Sequence, residues 1–261
     1  MKKIIENVQF PMGTGAVWFP SCFASIWMRI EGITTEEQAS DLKPPNGECC
    51  GSCVQSKLGL YHLSTQNLYA VVSGLPFMQL DLSNEEHLTP WYINRILDEY
   101  DDYIKFTMDF AGFSYERFEK GTDKAAVFDS IKKSIDADRP VLMNFGPHYT
   151  WCVIIGYDDQ NGAIYGLGGN AGWNDYWKDK PDSYEGDMFV ISQWYEHMTE
   201  TVIITGKTAP TVIYDDVFKR IINMLETMDE TGYFKRTVDY LENDSDVRKY
   251  CIEKNIPTEE E

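Results

Sequence analysis

Residues 139–159 read RPVLMNFGPHYTWCVIIGYDD, and the alternation of apolar runs with turn residues in this stretch decides the fold class. Pro140–Phe145 is an apolar run that Gly146-Pro147 breaks; Tyr149–Tyr157 is a second run, aromatic and β-branched, closed by Asp158-Asp159 and Asn161-Gly162. Short runs bounded by such residues read as two strands joined by a turn. In a regular second strand Trp151, Val153 and Ile155 occupy one face, and Cys152 and Ile154 the other. Both faces are apolar, so the strand is expected to be central and covered on both sides. His148 stands at the mouth of that strand, where an imidazole can reach out of the sheet.

Working outward, further strands are expected at 163–167, 188–191 and 201–205. Between the first two of these lies 168–187, GGNAGWNDYWKDKPDSYEGD, a long glycine- and aromatic-rich connection of the kind that is usually functional. Upstream, residues 1–19 read as an extended lead-in. Pro20-Ser21 precedes CFASIWMRI, an apolar helix with Ser21 as its cap and Glu31-Gly32 as its end. A second helix start is read at Thr34-Thr35-Glu36-Glu37, and helices at 52–73 and 91–103. KAAVFDSIKKSID, residues 124–136, is amphipathic at helical spacing. From Asp215 onward the pattern is helical again, over 215–228, 231–242 and 244–254. N-terminal helices packed on a central antiparallel sheet, with a helical extension, make an α+β protein. The expected domains are 1–207 and a C-terminal extension, 208–261.

Composition limits the function classes. A formal charge of −19 over 261 residues, with no basic stripe, argues against binding a phosphate backbone. No apolar run approaches a membrane span, and MKKIIENVQF has no apolar core of a signal peptide behind its lysines. Six cysteines in a chain this long do not make a disulfide scaffold. The expectation is a cytoplasmic protein with free thiols, without nucleic-acid or membrane partners, whose helical tail offers a surface for oligomer formation.

The chemistry is read at Cys22. A thiol becomes a nucleophile when ionised, and the free amides and dipole of a helix start favour the thiolate. Cys22 is expected just inside such a start. A histidine from the sheet would take its proton and a third polar group would orient the ring. His148 is the natural base. Asn170, Asn174 and Asp175 follow the next strand as orienting candidates, with Asn170 first because it lies closest to that strand.

A cysteine opening an apolar helix, followed by GPHYTWCVIIGYDD, a strand and a loop, resembles the papain-like cysteine peptidase superfamily. The style is similar to the bacteriocin-processing peptidase-like group and to the N-terminal domain of butirosin biosynthesis protein H, an acyltransferase. The resemblance spans 18–205 and is strongest over 139–159. It implies a papain-like domain that hydrolyses or transfers an acyl group from an amide or thioester of a small-molecule or peptide substrate, without a cofactor. Cys22 would attack the carbonyl, His148 would shuttle the proton, Asn170 would hold the ring, and the Cys22 backbone amide would supply part of an oxyanion hole. Trp18, Trp173 and Trp177 are the expected substrate-binding aromatics. The sequence departs from the pattern in three places: Gly168-Gly169 stands where the family has an acidic residue, no glutamine lies about six residues before Cys22 (Gln9 being thirteen upstream), and Phe23 follows Cys22 where smaller residues are common. These departures keep a second reading open, a catalytically silent papain-like domain that binds a peptide or small molecule as part of a regulator.

Cys49-Cys50-Gly51-Ser52-Cys53 has redox-like spacing but lacks a thioredoxin-type context, and as a zinc site it lacks a clear fourth ligand beyond His62. No metal is expected. Cys152 would lie about 13 Å along the strand from His148 and reads as core.

Overall fold

The computed structural model describes residues 1–10, 18–35, 68–74, 103–145, 150–168, 181–186 and 188–230. The chain divides into two compact units, one of Met1–Leu75 with Tyr103–Ile213, the other of Pro76–Asp102 with Tyr214–Glu261. In the first unit the strands are β1 (Lys2–Ile4), β2 (Phe113–Glu119), β3 (Val141–Phe145), β4 (Thr150–Asp158), β5 (Ala163–Leu167), β6 (Ser183–Glu185), β7 (Met188–Ile191) and β8 (Met198–Lys207). Its helices are α1 (Trp18–Ile30), α2 (Tyr103–Ala111), α3 (Lys124–Asp136) and the short α4 (Trp194–His197), with a further helical stretch at 68–73. The second unit contributes α5 (Tyr214–Glu230), in which Val217 and Met224 are buried while Phe218 and Ile222 are exposed. The fold is α+β.

The strands form one antiparallel sheet in the order β2-β8-β3-β4-β5-β7-β6. Turn chemistry sets the neighbours. Asp158 closes β4 by accepting hydrogen bonds from the Gln160 amide (2.9 Å) and the Asn161 side chain (2.8 Å), which folds the chain back into β5. β4 is central, as its two apolar faces require, and residues 151–158 are all buried. Its alternation is not regular, however. A bulge between Ile154 and Gly156, on the side paired with β5, re-aims the strand. Trp151 packs against Phe19 of α1, and Tyr157 packs against Phe128 of α3 and donates to Asp136.

The lead-in is not merely extended. β1 pairs with the last third of β4, Ile4 opposite Gly156, on the edge that β3 occupies further back. A Cβ at Gly156 would stand 2.7 Å from the Lys3 carbonyl oxygen, so only glycine admits this strand. β2 is the other element that the hydrophobic pattern missed. FSYERFE carries three charges, Glu116, Arg117 and Glu119, as an edge strand does, and among the described residues it pairs only with β8. The connection after β5 also contains the short exposed strand β6, and β8 extends beyond 201–205 in both directions.

α3 is built as its sequence dictates. The Asp123 side chain accepts from the Ala126 amide (2.9 Å) as the N-cap, and Val127, Ile131 and Ile135 form its buried face. α1 starts earlier than expected. It begins at Trp18, so Pro20 sits within the first turn, where its missing N–H costs nothing, and Ser21 is inside the helix rather than its cap. The Ile33 amide donates to the Met28 carbonyl (2.8 Å) past the helix end. Arg29 then ties α1 to the turn after α3, donating to both Asp138 carboxylate oxygens (2.7 and 2.6 Å). Thr34 and Thr35 are not helical.

Gly156→Val is expected to push β1 off β4 and to cost about 1–3 kcal/mol. Urea unfolding would read the loss, and hydrogen exchange at the Ile5 amide, which donates to the Ile155 carbonyl, would show β1 released first.

Candidate active site

Helix α1 lies over β3 and β4. Its two ends are located by side chains: Phe19 meets Trp151 at a ring separation of 5.3 Å, and Arg29 reaches Asp138, which lies just ahead of β3. The start of α1 therefore sits at the end of the sheet where β3 leaves and β4 begins. Because the sheet is antiparallel, β5 also leaves there, Leu167 standing opposite Val153. The aromatic packing that fixes this placement continues from Phe19 to Phe23 and to Tyr103, the latter edge-on at 4.9 Å.

Cys22 is on the sheet side of α1. It is 0% exposed, and its Sγ donates to the Trp151 carbonyl oxygen at 3.2 Å. Two features of this placement differ from the expectation. Cys22 is the fifth residue of the helix, beyond the first turn in which the dipole and the free amides act. Its own backbone amide is therefore committed within the helix and does not supply an oxyanion hole. The thiol is also pushed well above its ordinary pKa, first by burial and then by the neighbouring Cys152. Cys152 is itself buried on β4 and is raised by the same desolvation. Both groups are neutral thiols in this arrangement.

Gly168 leaves β5 in the left-handed region at φ 97°, and a Cβ there would lie 3.1 Å from the Phe10 ring and 3.5 Å from the Cys152 Cα. The left-handed backbone strains any residue but glycine there, and a side chain would also press on the Phe10 ring. Gln9 hydrogen-bonds through Nε2 to the Thr34 carbonyl (3.0 Å), so it is engaged at the far end of α1 rather than beside Cys22. His148, Asn170, Asn174, Asp175, Trp173, Trp177, His62 and the cysteines at 49, 50 and 53 lie outside the described residues, as does the side chain of Trp18, whose backbone opens α1. Among the described residues no cluster of metal-ligating side chains occurs, and no helix is long and apolar enough to cross a membrane.

The sequence reading missed one polar residue at this end of the sheet. Asn144, on β3, stands directly opposite Trp151 of β4 and opposite Glu200 of β8. It is 2% exposed, and its side-chain oxygen has no hydrogen-bond partner among the described residues. Glu200 is ion-paired with Arg117 of β2. The only signal in the sequence is an asparagine inside the run PVLMNF, where every neighbour is apolar.

Comparison with protein-family models finds none that matches the chain, and comparisons with curated proteins and with solved structures likewise return no match.

The buried thiols give a pH dependence of stability. The native state holds a proton that the unfolded chain releases above the ordinary thiol pKa of about 8.5. The contribution is whole below that value and is lost as pH rises toward the native pKa, by up to about 1.4 kcal/mol per pH unit for each thiol. In urea unfolding at a series of pH values above 8, Cys22→Ala and Cys152→Ala are each expected to show a shallower loss of stability than wild type.

Proposed function

We propose that this chain is a papain-like cysteine hydrolase or acyltransferase acting on an amide or thioester, with Cys22 as nucleophile, His148 as base and Asn170 as the residue that orients the imidazole. The observation that carries the reading is the contact between the Cys22 thiol and the Trp151 carbonyl. It sets the cysteine at the one end of the sheet where β3 passes into β4 and where β5 leaves. His148 is three residues before Trp151, a span of at most about 11 Å along the chain, and Asn170 is two residues beyond Gly168. Both are therefore close in the chain to residues that lie at that end of the sheet.

In the reaction the Cys22 proton passes to His148 as sulfur attacks the acyl carbon. The tetrahedral intermediate expels the amine or thiol, which takes the proton, and leaves a thioester on Cys22. Water or a second acceptor then releases the acyl group. Hydrolysis and transfer differ only in that acceptor. The buried, protonated thiol is the resting form, and His148 must come within hydrogen-bond reach of it for turnover.

The complete burial of Cys22 favours a second reading, a silent papain-like domain that binds a peptide or small molecule. Residue-resolved iodoacetamide labelling separates the two. For an enzyme, Cys22 is labelled ahead of Cys152 at pH 7, and His148→Ala slows that labelling by about tenfold or more. Labelling of Cys22 only on unfolding removes the nucleophile and leaves the binding domain.

A further inference from the structure

Helix α5 reads YDDVFKRIINMLETMDE. At helical spacing its apolar residues fall on two adjoining stripes. Val217, Ile221 and Met224 make the first, of which Val217 and Met224 are buried. Phe218, Ile222 and Leu225 make the second, one position further round, at the i, i+4, i+7 spacing of a helix-packing face. This second stripe faces water: Phe218 is 59% exposed, Ile222 54% and Leu225 36%. Large apolar side chains exposed singly are ordinary, whereas adjoining ones form a patch of the kind that receives a partner.

Charge decides the occupant. The border of the stripe away from the buried residues carries Asp215, Lys219 and Glu226, all exposed. By sequence the helix has Asp215, Asp216, Glu226, Asp229 and Glu230 against Lys219 and Arg220, in a chain of net charge −19. A second copy would bring the same acidic excess to the same border, and juxtaposed like charges disfavour pairing. An anionic lipid surface is repelled for the same reason, since helices that lie on membranes carry lysine and arginine on their polar face. A basic partner is attracted by both the border and the whole chain. The stripe runs about 10 Å along a single helix, and its spacing is the one that a second helix matches.

We propose that the Phe218–Ile222–Leu225 stripe of α5 is a docking surface for a basic amphipathic helix of a partner protein. The apolar face of that helix packs on the stripe, and its flanking lysines or arginines meet Asp215 and Glu226. The surface lies wholly on α5, in the second compact unit, so the inference is independent of the acyl-transfer reading.

The test titrates the full chain, at physiological ionic strength, with two labelled amphipathic peptides of about 20 residues. Both place leucines at helical spacing; the remaining positions are lysine in one and glutamate in the other. Wild type is expected to bind the lysine peptide at least about tenfold more tightly than the glutamate peptide. Phe218→Ser combined with Ile222→Ser leaves every charge in place and is expected to weaken the lysine peptide by about tenfold or more. Asp215→Lys combined with Glu226→Lys leaves the stripe in place and is expected to narrow the preference between the peptides by about fivefold or more. All four positions are exposed, so both variants are expected to melt within about 3 °C of wild type. Undiminished binding by the serine variant places the peptide elsewhere on an acidic surface and overturns the proposal. So does a wild type that binds neither peptide, or a serine variant of clearly lower melting temperature, which shows the stripe to be covered by the chain itself. A wild-type dimer in sedimentation that the serine substitutions dissociate makes a second copy the occupant and overturns it as well.

Discussion

The structure depends on β4 being paired along both edges over most of its length. Along one side it pairs with β3 and then, without sharing a residue, with β1; along the other it pairs with β5. A strand so flanked buries both faces, as residues 151–158 do, and ahead of the stretch paired with β5 the Trp151 carbonyl is met by the Cys22 thiol instead. The neighbours follow from that demand. Gly156 is the point where β1 can approach, and the bulge before it is where the strand turns its side chains from α1 toward α3. The β-branched and aromatic content of YTWCVIIGY thus specifies the middle of the fold, and the elements packed on it are placed by what it leaves uncovered.

The same enclosure governs the thiol. α1 is anchored at its start by Phe19 on Trp151 and at its end by Arg29 on Asp138. The second of these joins a largely buried Arg29 side chain to an exposed Asp138 carboxylate, whereas the aromatic contact lies wholly in the core. Cys22 lies one turn from that contact, and the packing that seats the helix also dries the sulfur. A thiol in that environment stabilises the protein as a small apolar group and loses its nucleophilicity in the process. Packing and reactivity therefore make opposite demands on the same few atoms.

How far the sequence reveals this molecule depends on how local each determinant is. Lys124–Asp136 is legible to the residue because its cap, its period and its end all lie within the segment. The strands at 163–167 and 188–191 are legible because each is an apolar run between turn residues. β1 and β2 are not, since their stability comes from partners more than eighty residues away in the chain, β4 and β8. Pro20-Ser21 has the pattern of a capped entry, but proline is equally compatible with the first turn, and the helix, with Phe19 docked on Trp151, extends back to Trp18. That shift of one turn changes the reading of Cys22 from a helix-start thiol to a buried one. Cys22 was legible as a residue of interest; its electrostatic environment was not.

Asn144 shows why polar residues in core strands deserve physical explanation. A run such as PVLMNF reads as uniformly apolar because pattern methods tolerate one exception, and period alone assigns no cost to it. The cost appears only once the register is known, when the carboxamide stands between Trp151 and Glu200 with no partner for its oxygen among the described residues. Ser25, three residues after Cys22 on α1, is also fully buried, and its hydroxyl has no hydrogen-bond partner among the described residues. Two orphaned groups on elements that pack together weaken the seam between α1 and the sheet relative to an all-apolar one. An interface built for stability alone would have replaced both.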